Sequence, residues 1–324
     1  MRRIHVIAAV IRDEQNRILI AKRPDHVHQG GLWEFPGGKL EADETRLEGL
    51  TRELHEELGI QVTEARPLLD IRHDYPDKSV RLDVWLVTRF EGQAHGAEGQ
   101  PVCWVAPAEL DEYSFPAANA PIIRAAQLPE QYLITPDLSD EQALFSGLQQ
   151  AHEAGSQLVQ LRQTGLTADD YQALAARVVS EFGDTFQLLV KGDTAPEWPG
   201  VGWHLTRQQL QSCWEQSRSM QEATSHPEVW GKRLIAASCH NADELQMAAQ
   251  LGVDFVTLSP VQPTSTHPDA QPLGWEVTGE LIDSINIPVY LLGGMRAEDL
   301  PQAFAAGAQG IAAIRALWPQ THSA

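Results

Sequence analysis

Residues 37–60 concentrate acidic side chains, and this stretch constrains the rest of the chain most strongly. Thr45, followed three residues later by Glu48, has the capping-box pattern that begins a helix. Gly59 is the type of residue with which helices end, because glycine readily adopts a left-handed backbone. The sequence therefore predicts a helix over residues 46–58.

The predicted helix has an apolar stripe and an acidic arc. At about 100° per residue, one stripe holds four leucines that should face the core: Leu47, Leu50, Leu54 and Leu58. The adjacent arc holds three carboxylates, which repel one another at this spacing: Glu53, Glu56 and Glu57. A divalent cation removes that repulsion, and carboxylate oxygens suit Mg²⁺ or Mn²⁺. From the carboxylates alone, a solvated acidic face remains an equal alternative.

The spacing across the whole stretch is more specific than the acidic arc. It consists of Gly38, five residues, Glu44, seven residues, Arg52-Glu53-Leu54, one residue, Glu56-Glu57, one residue and Gly59-Ile60. This pattern resembles the Nudix box at every defining position. The resemblance implies hydrolysis of a nucleoside diphosphate linked to another moiety, with Mg²⁺ bound by the helix glutamates.

Length and charge bound the organisation of the chain. A chain of 324 residues is long for one domain, and we predict two, at residues 1–129 and 130–324. The net charge of −20 disfavours binding to a nucleic-acid polymer, so any nucleotide substrate should be a free one. Three widely spaced cysteines suggest neither a disulfide framework nor a zinc site. No apolar run approaches the roughly 18 residues of a membrane span, and we expect a cytoplasmic protein.

The first domain should contain a mixed sheet with helices on its faces, beginning with a hairpin of residues 4–11 and 18–21. Further segments match the MutT branch of the Nudix hydrolases, which hydrolyses free 8-oxo-dGTP. They are Lys22-Arg23, Phe35 to Lys39, and residues 73–78, 97–100 and 115–119. By that resemblance Asn119 reads the purine edge, Arg23 and Phe35 help hold the nucleotide, and Glu98 lies near the metals.

Asn119 suits the recognition of an oxidised guanine. The 8-oxo base carries a hydrogen at N7, so one side-chain amide can accept from N7–H and donate to O6. Ordinary guanine presents an acceptor at N7, and the resulting polar mismatch can support discrimination of about 10⁴. The alternative role for Asn119 is that of a helix N-cap.

The resemblance implies attack at the β-phosphorus, which yields a nucleoside monophosphate and pyrophosphate. Our hypothesis for the metal ligands is the Gly38 carbonyl together with Glu53, Glu56, Glu57 and Glu98. Glu53 is also the first candidate for the base that positions or deprotonates water. We expect Arg52 to orient the glutamates and Glu44 to support that network. Lys39 is either a phosphate contact or a solvated lysine.

The second domain alternates eight strand-like runs with helical segments, which predicts a (β/α)₈ barrel with its site at the strand C-termini. The residues there resemble those of thiamine-phosphate synthase and its thiazole-tautomerase relatives. They are Gln160, Arg162, His204, Ser238, His240, Thr264, Thr266, Gly293 and Gly294. The resemblance implies that the two glycines bind phosphate through backbone N–H groups.

The barrel departs from the synthase pattern where that pattern binds Mg²⁺ and pyrophosphate. Lys191-Gly192 replaces an Asn-Asp pair and Gln209 replaces an Asp, while Gln163, His267 and Arg315 replace two lysines and a serine. We therefore expect no synthase activity. Tautomerisation with His240 as acid and base, a thiamine-related phosphate sensor that regulates the hydrolase, and an inert scaffold remain open. A thiamine-precursor pyrophosphate is the alternative substrate of the first domain.

Overall fold

The structure is a computed structural model that describes residues 4–27, 29–74, 79–219, 230–264 and 269–319. The chain divides into two compact units, Met1–Leu128 and Pro129–Ala324. Residues 75–78 of the MutT resemblance and Thr266 and His267 of the barrel lie outside the described residues. Within those ranges, no helix combines the length and the apolar character needed to cross a membrane.

The first unit contains a six-stranded mixed sheet, as predicted. Its strands are β1 (Ile4–Arg12), β2 (Ile18–Lys22), β3 (Trp33–Glu34), β4 (Gln61–Asp74), β5 (Ser79–Glu91) and β6 (Val102–Val105). The order is β3-β2-β1-β5-β4, with β6 paired to β2. The predicted hairpin of β1 and β2 is confirmed, and β1 pairs with β5 in parallel.

Alternate residues of β1 face opposite sides of the sheet, and helices cover both sides. Ile7, Ala9 and Ile11 pack in one buried cluster with leucines of α1 (Arg46–Leu58). Ala8 and Val10 pack on the other face in a cluster that contains Ile122, Ala125 and Ala126 of α2 (Ala120–Gln127). The central strand therefore carries α1, with its acidic arc, and α2 on opposite faces of one rigid sheet.

The bounds of α1 agree with the prediction. Thr45 Oγ1 accepts from the Glu48 N–H at 3.3 Å, and the Glu48 carboxylate accepts from the Thr45 N–H at 2.9 Å. Gly59 ends the helix with φ 68°. These local contacts explain why the sequence alone located the helix.

The predicted leucine stripe is wrong at one position. Leu50, Leu54 and Leu58 are fully buried, but Leu47 is 49% exposed. In the first turn the buried face passes instead through Gly49, where an added Cβ would lie 2.7 Å from Leu40 Cδ1. The face of the first turn that packs on the core thus includes Gly49 and leaves Leu47 exposed, which the helical wheel alone does not show.

The second unit is a closed barrel of eight parallel strands, which confirms the predicted architecture. Its strands are β7 (Gln131–Ile134), β8 (Leu158–Leu161), β9 (Gln187–Val190), β10 (Gly202–Leu205), β11 (Ile235–Cys239), β12 (Phe255–Leu258), β13 (Val289–Leu291) and β14 (Gly310–Ala313). Its helices are α3 (Glu141–Glu153), α4 (Ala168–Phe182), α5 (Arg207–Ser219), α6 (Ala242–Leu251), α7 (Gly274–Ile282) and α8 (Leu300–Ala305). We did not predict α5, which is largely polar, or α7, which begins at a glycine.

Candidate functional site

Arg52 stands at the centre of the acidic cluster on α1. Its Nε and Nη2 donate to the two carboxylate oxygens of Glu44 at 2.5 and 2.9 Å. Its Nη1 donates to Glu53 at 2.9 Å and to Glu56 at 3.1 Å. One guanidinium thus positions three carboxylates, because its planar fork presents donors in fixed directions.

The turn of Gly37 and Gly38 lies directly against the helix. The Gly37 N–H donates to Glu57 Oε2 at 3.0 Å. A Cβ on Gly38 would lie 2.1 Å from Glu53 Oε2, so the close approach of that carboxylate requires glycine. The Gly38 carbonyl accepts from the Ile7 N–H at 2.8 Å, whereas no described residue donates to the Gly37 carbonyl.

Glu57 is the carboxyl of the cluster whose pKa departs most from its ordinary value. Burial raises the pKa of Glu57 to about 8, and the negative charges of Glu34, Glu53 and Glu98 add to that rise, against the Gly37 N–H. Burial also raises the pKa of Glu53, despite its contact with Arg52. Burial is the main cause of both shifts, and a cation bound at the cluster would oppose them by favouring the charged carboxylates.

Glu98 lies on a loop that is held to the end of α1. The Ala97 N–H and Gln100 Nε2 both donate to the Glu57 carbonyl at 2.9 Å. Gln100 Oε1 in turn accepts from the Glu98 N–H at 3.0 Å. The exposed Glu98 is therefore placed beside the helix by backbone contacts, although it is distant in sequence.

The chemistry of this cluster fits a hard divalent cation, because its side-chain donors are carboxylate oxygens. Over the described ranges, no three His, Cys, Asp or Glu side chains converge on one metal position. In the conformation described, Arg52 occupies the carboxylates of Glu44, Glu53 and Glu56. A cation would therefore compete with Arg52 for Glu53 and Glu56.

A cavity of about 220 Å³ opens beside the glycine turn. Its lining includes all four predicted substrate-binding residues: Arg23, Phe35, Lys39 and Asn119. Phe35 is also a core residue, since it is 4% exposed and its ring stacks on Phe115 at 5.4 Å. Gly37 lines the cavity too, so the cavity and the acidic cluster share one turn.

Glu34 is a lining residue that the sequence analysis missed. Its carboxylate pairs with Arg23, and burial raises the pKa of Glu34. The available signal was an acid between the apolar residues Trp33 and Phe35, just before the glycine turn. A partly buried acid in such a position is stabilised by a partner, and Arg23 supplies it.

Asn119 is 8% exposed and lines the cavity. It stands between a short 3₁₀ helix, Ala117–Asn119, and α2, but its side chain forms no capping hydrogen bond. Asn119 thus occupies the N-cap position of α2, as the alternative predicted, without capping the helix through its side chain. None of the described residues bonds to its side-chain amide, so both the donor and the acceptor remain available to a ligand.

The barrel has a cavity of about 420 Å³ formed from the C-terminal ends of its strands and the loops that follow. Seven of the predicted ligand-site residues line it: Gln160, Arg162, His204, Ser238, His240, Thr264 and Gly293. Gly294 lines a second cavity of about 570 Å³ that shares Thr264 and Gly293 with the first. Both glycines have left-handed backbones, with φ 95° for Gly293 and 72° for Gly294.

The two histidines of this cavity differ in chemistry. His204 is buried between Tyr132 Oη at 2.8 Å and Ser238 Oγ at 2.9 Å, and burial lowers the pKa of His204 to about 4. It is therefore a neutral hydrogen-bonding group near pH 7. His240 is more exposed, and its Nδ1 lies 2.9 Å from the buried Glu244 carboxylate, which fixes the ring.

Comparison with known proteins agrees with this division of the chain. A profile of the NUDIX domain matches residues 7–125, and a profile of thiamine monophosphate synthase matches residues 131–317. The chain belongs to both families. Its first unit is a Nudix pyrophosphohydrolase, and its second is a synthase-family barrel.

Three relatives illustrate the range of similarity. An 8-oxo-dGTP diphosphatase of Escherichia coli is 38% identical over 123 residues, which are 38% of this chain and 95% of the relative. A CTP pyrophosphohydrolase of the same organism is 38% identical over 125 residues, 39% of this chain and 92% of the relative. A putative thiamine-phosphate synthase 2 of Aquifex aeolicus is 30% identical over 196 residues, 58% of this chain and 97% of the relative.

Two residues of the barrel that differ from the synthase pattern form structural hydrogen bonds. Gln163 is buried, accepting from the Leu138 N–H at 3.1 Å and donating to the Pro136 carbonyl at 2.6 Å. Gln209 Nε2 donates to the Gly192 carbonyl at 2.6 Å. Arg315 lines the cavity of Gly294. These glutamines stabilise the loops around the cavity and leave no carboxylate in their place.

The glycine turn of the Nudix unit gives a paired prediction. Gly38→Ala should displace the Glu53 carboxylate, whose flexible side chain can move, and lower kcat by about 10²-fold with little change in Tm. Gly37→Ala should destabilise the unit by about 2 kcal/mol, because its Cβ would lie 2.1 Å from the Ile7 carbonyl at φ 144°. Kinetics and thermal unfolding of the full chain measure both effects. Unchanged kcat in Gly38→Ala would contradict the placement of Glu53.

Proposed function

We propose that the Nudix unit hydrolyses 8-oxo-dGTP to 8-oxo-dGMP and pyrophosphate with Mg²⁺, and thereby cleanses the nucleotide pool and prevents mutation. The observation that carries this proposal is the unpaired Asn119 amide in a cavity that shares the Gly37 turn with the acidic cluster. The similarity to the Escherichia coli 8-oxo-dGTP diphosphatase supports it.

The cavity chemistry favours a base with both a hydrogen-bond donor and an acceptor on one edge. An amide can accept from N7–H of 8-oxoguanine and donate to O6, while guanine would set two lone pairs against each other. Arg23 is held by Glu34 at the cavity wall, where it contributes to holding the nucleotide. Lys39 lines the same cavity and supplies a cation for the phosphates.

The residues that would hold the cation are Glu53, Glu56, Glu57 and Glu98, together with the Gly38 carbonyl, which keeps one lone pair after accepting from the Ile7 N–H. When bound, Mg²⁺ neutralises the triphosphate and acidifies water. Glu53 positions or deprotonates the water that attacks the β-phosphorus, since its carboxylate lies against Gly38. Arg52 orients Glu53 and Glu56, and Glu44 anchors Arg52 from the opposite side.

Metal removal tests the proposed chemistry on the full chain. With EDTA in excess, we expect hydrolysis of 8-oxo-dGTP to fall by at least about 10²-fold, because the clustered carboxylates cannot neutralise a triphosphate. Mg²⁺ or Mn²⁺ in excess over EDTA should restore it, with 8-oxo-dGMP and pyrophosphate as products. Full activity in EDTA, or release of orthophosphate in place of pyrophosphate, would overturn the proposal.

For the barrel, the convergence of polar residues on one cavity favours a ligand site over an inert scaffold. Such a ligand would regulate the hydrolase or be isomerised with His240 as acid and base. The contact between His240 and the buried Glu244 favours the second role, because a carboxylate that fixes one ring nitrogen leaves the other free to exchange a proton.

A further inference from the structure

The lining of the barrel cavity contains basic side chains but no acidic ones among the described residues. It includes Lys191 and Arg162 together with two histidines. A hard divalent cation binds through carboxylate oxygens. The residues of this cavity therefore do not fit Mg²⁺, and they present positive charge to a ligand directly.

Lys191 directly follows β9, at the C-terminal edge of the barrel. Its ammonium lies 4.6 Å from the centroid of the Tyr171 ring, and its backbone N–H donates to Tyr171 Oη at 3.0 Å. Tyr171 is buried, and its hydroxyl donates to the Leu161 carbonyl at 2.8 Å. One fixed tyrosine thus holds both the backbone and the cation of Lys191.

Lys191 has no carboxylate at salt-bridge distance among the described residues. The Asp137 carboxylate acts on Lys191 from beyond salt-bridge distance, and it accepts from Arg162 Nη1 at 2.8 Å and from Thr164 Oγ1 at 2.9 Å. Burial lowers the pKa of Lys191, while the negative charges of Asp137 and Asp193, neither at salt-bridge distance, act in the opposite direction. A bound anion would offset that desolvation.

The backbone next to Lys191 is not available as a metal ligand. The Gly192 carbonyl accepts from Trp203 Nε1 at 3.0 Å and from Gln209 Nε2 at 2.6 Å, which uses both of its lone pairs. This carbonyl therefore has no lone pair left for a metal ion, whereas the Lys191 ammonium beside it suits an anion.

We propose that the barrel cavity binds a phosphorylated small molecule without a divalent cation, and that the Lys191 ammonium contacts an anionic group of that molecule directly. Arg162 lines the same cavity, where its guanidinium pairs with Asp137 through Nη1 and has further N–H donors that suit a phosphoryl group. The cavity volume of about 420 Å³ fits a small molecule. The proposal concerns the barrel alone and does not depend on the substrate of the Nudix unit.

Isothermal titration of the full chain with inorganic pyrophosphate in EDTA tests this proposal. We expect saturable binding without metal, and Lys191→Gln should weaken it by about 10- to 100-fold, as for loss of a charged hydrogen bond. The matched control is Lys232→Gln, because Lys232 is exposed and lies outside the cavity. Binding that requires Mg²⁺, no binding in EDTA, or wild-type affinity in Lys191→Gln would overturn the proposal.

A second measurement uses the unmodified chain and so does not depend on the folding of a variant. Acetylation of lysines is followed by mass spectrometry with and without pyrophosphate in EDTA. We expect pyrophosphate to slow the modification of Lys191 and to leave that of Lys232 unchanged. Equal modification of Lys191 in both conditions would overturn the proposal.

Discussion

Glu53→Gln is expected to lower kcat for 8-oxo-dGTP by about 10²- to 10⁴-fold, the usual contribution of a general base. Glutamine keeps the size of the side chain and its hydrogen bond to Arg52, but it removes the negative charge that lies against the Gly38 turn. The helix should persist, because Leu50 and Leu54 anchor it in the core. Steady-state kinetics and thermal unfolding of the full chain measure both outcomes.

The matched control is Glu64→Gln. Glu64 is an exposed carboxylate of the same unit, on β4, and its partner is the exposed Arg89 at 3.2 Å. We expect its kcat and Tm to equal those of the unmodified protein, because exposed ion pairs contribute little. If Glu53→Gln retained full kcat, Glu53 could be neither the base nor a required metal ligand.

Asn119→Ala is expected to reduce the preference for 8-oxo-dGTP over dGTP by about 10²-fold or more. The substitution removes both the acceptor for N7–H and the donor for O6, so the correct base loses two hydrogen bonds. Since the side chain forms no capping bond to α2, the helix should not be weakened. The ratio of the two kcat/KM values is the quantity to measure.

The reaction with dGTP is the internal control for Asn119→Ala. Its kcat/KM should change little, because the amide forms no favourable pair with guanine, whereas that for 8-oxo-dGTP should fall. Equal losses for both nucleotides would indicate a general defect of the cavity. An unchanged preference would assign the reading of the base to another residue.

Features fixed by local contacts could be predicted from the sequence. The helix of residues 46–58 was located because Thr45, Glu48 and Gly59 determine its ends within one turn. The barrel was predicted because eight apolar strand-like runs recur along the second unit, although helices α5 and α7 were not recognised. Leu47 was misplaced because its burial depends on which neighbouring elements cover the first turn, and a helical wheel contains no such neighbours.

For residues whose partners are distant in sequence, the sequence could suggest the residue but not its contacts. The sequence suggested Asn119 as a base-reading residue, but only the structure shows its amide unpaired in the cavity that Arg23 lines. Glu34 was missed because its partner is eleven residues away, across a loop. Lys191 was noticed as a departure, but its contact with Tyr171 and its lack of a salt bridge to any described carboxylate required coordinates.

The central claim is that this Nudix unit selects an oxidised purine nucleotide. Measuring kcat/KM of the full chain for 8-oxo-dGTP, dGTP and CTP, with Mg²⁺ in one buffer, tests it most directly, because a CTP pyrophosphohydrolase is also among the relatives. We predict a preference for 8-oxo-dGTP over dGTP of about 10⁴, with CTP also disfavoured. Equal values for 8-oxo-dGTP and dGTP, or a higher value for CTP, would contradict the account.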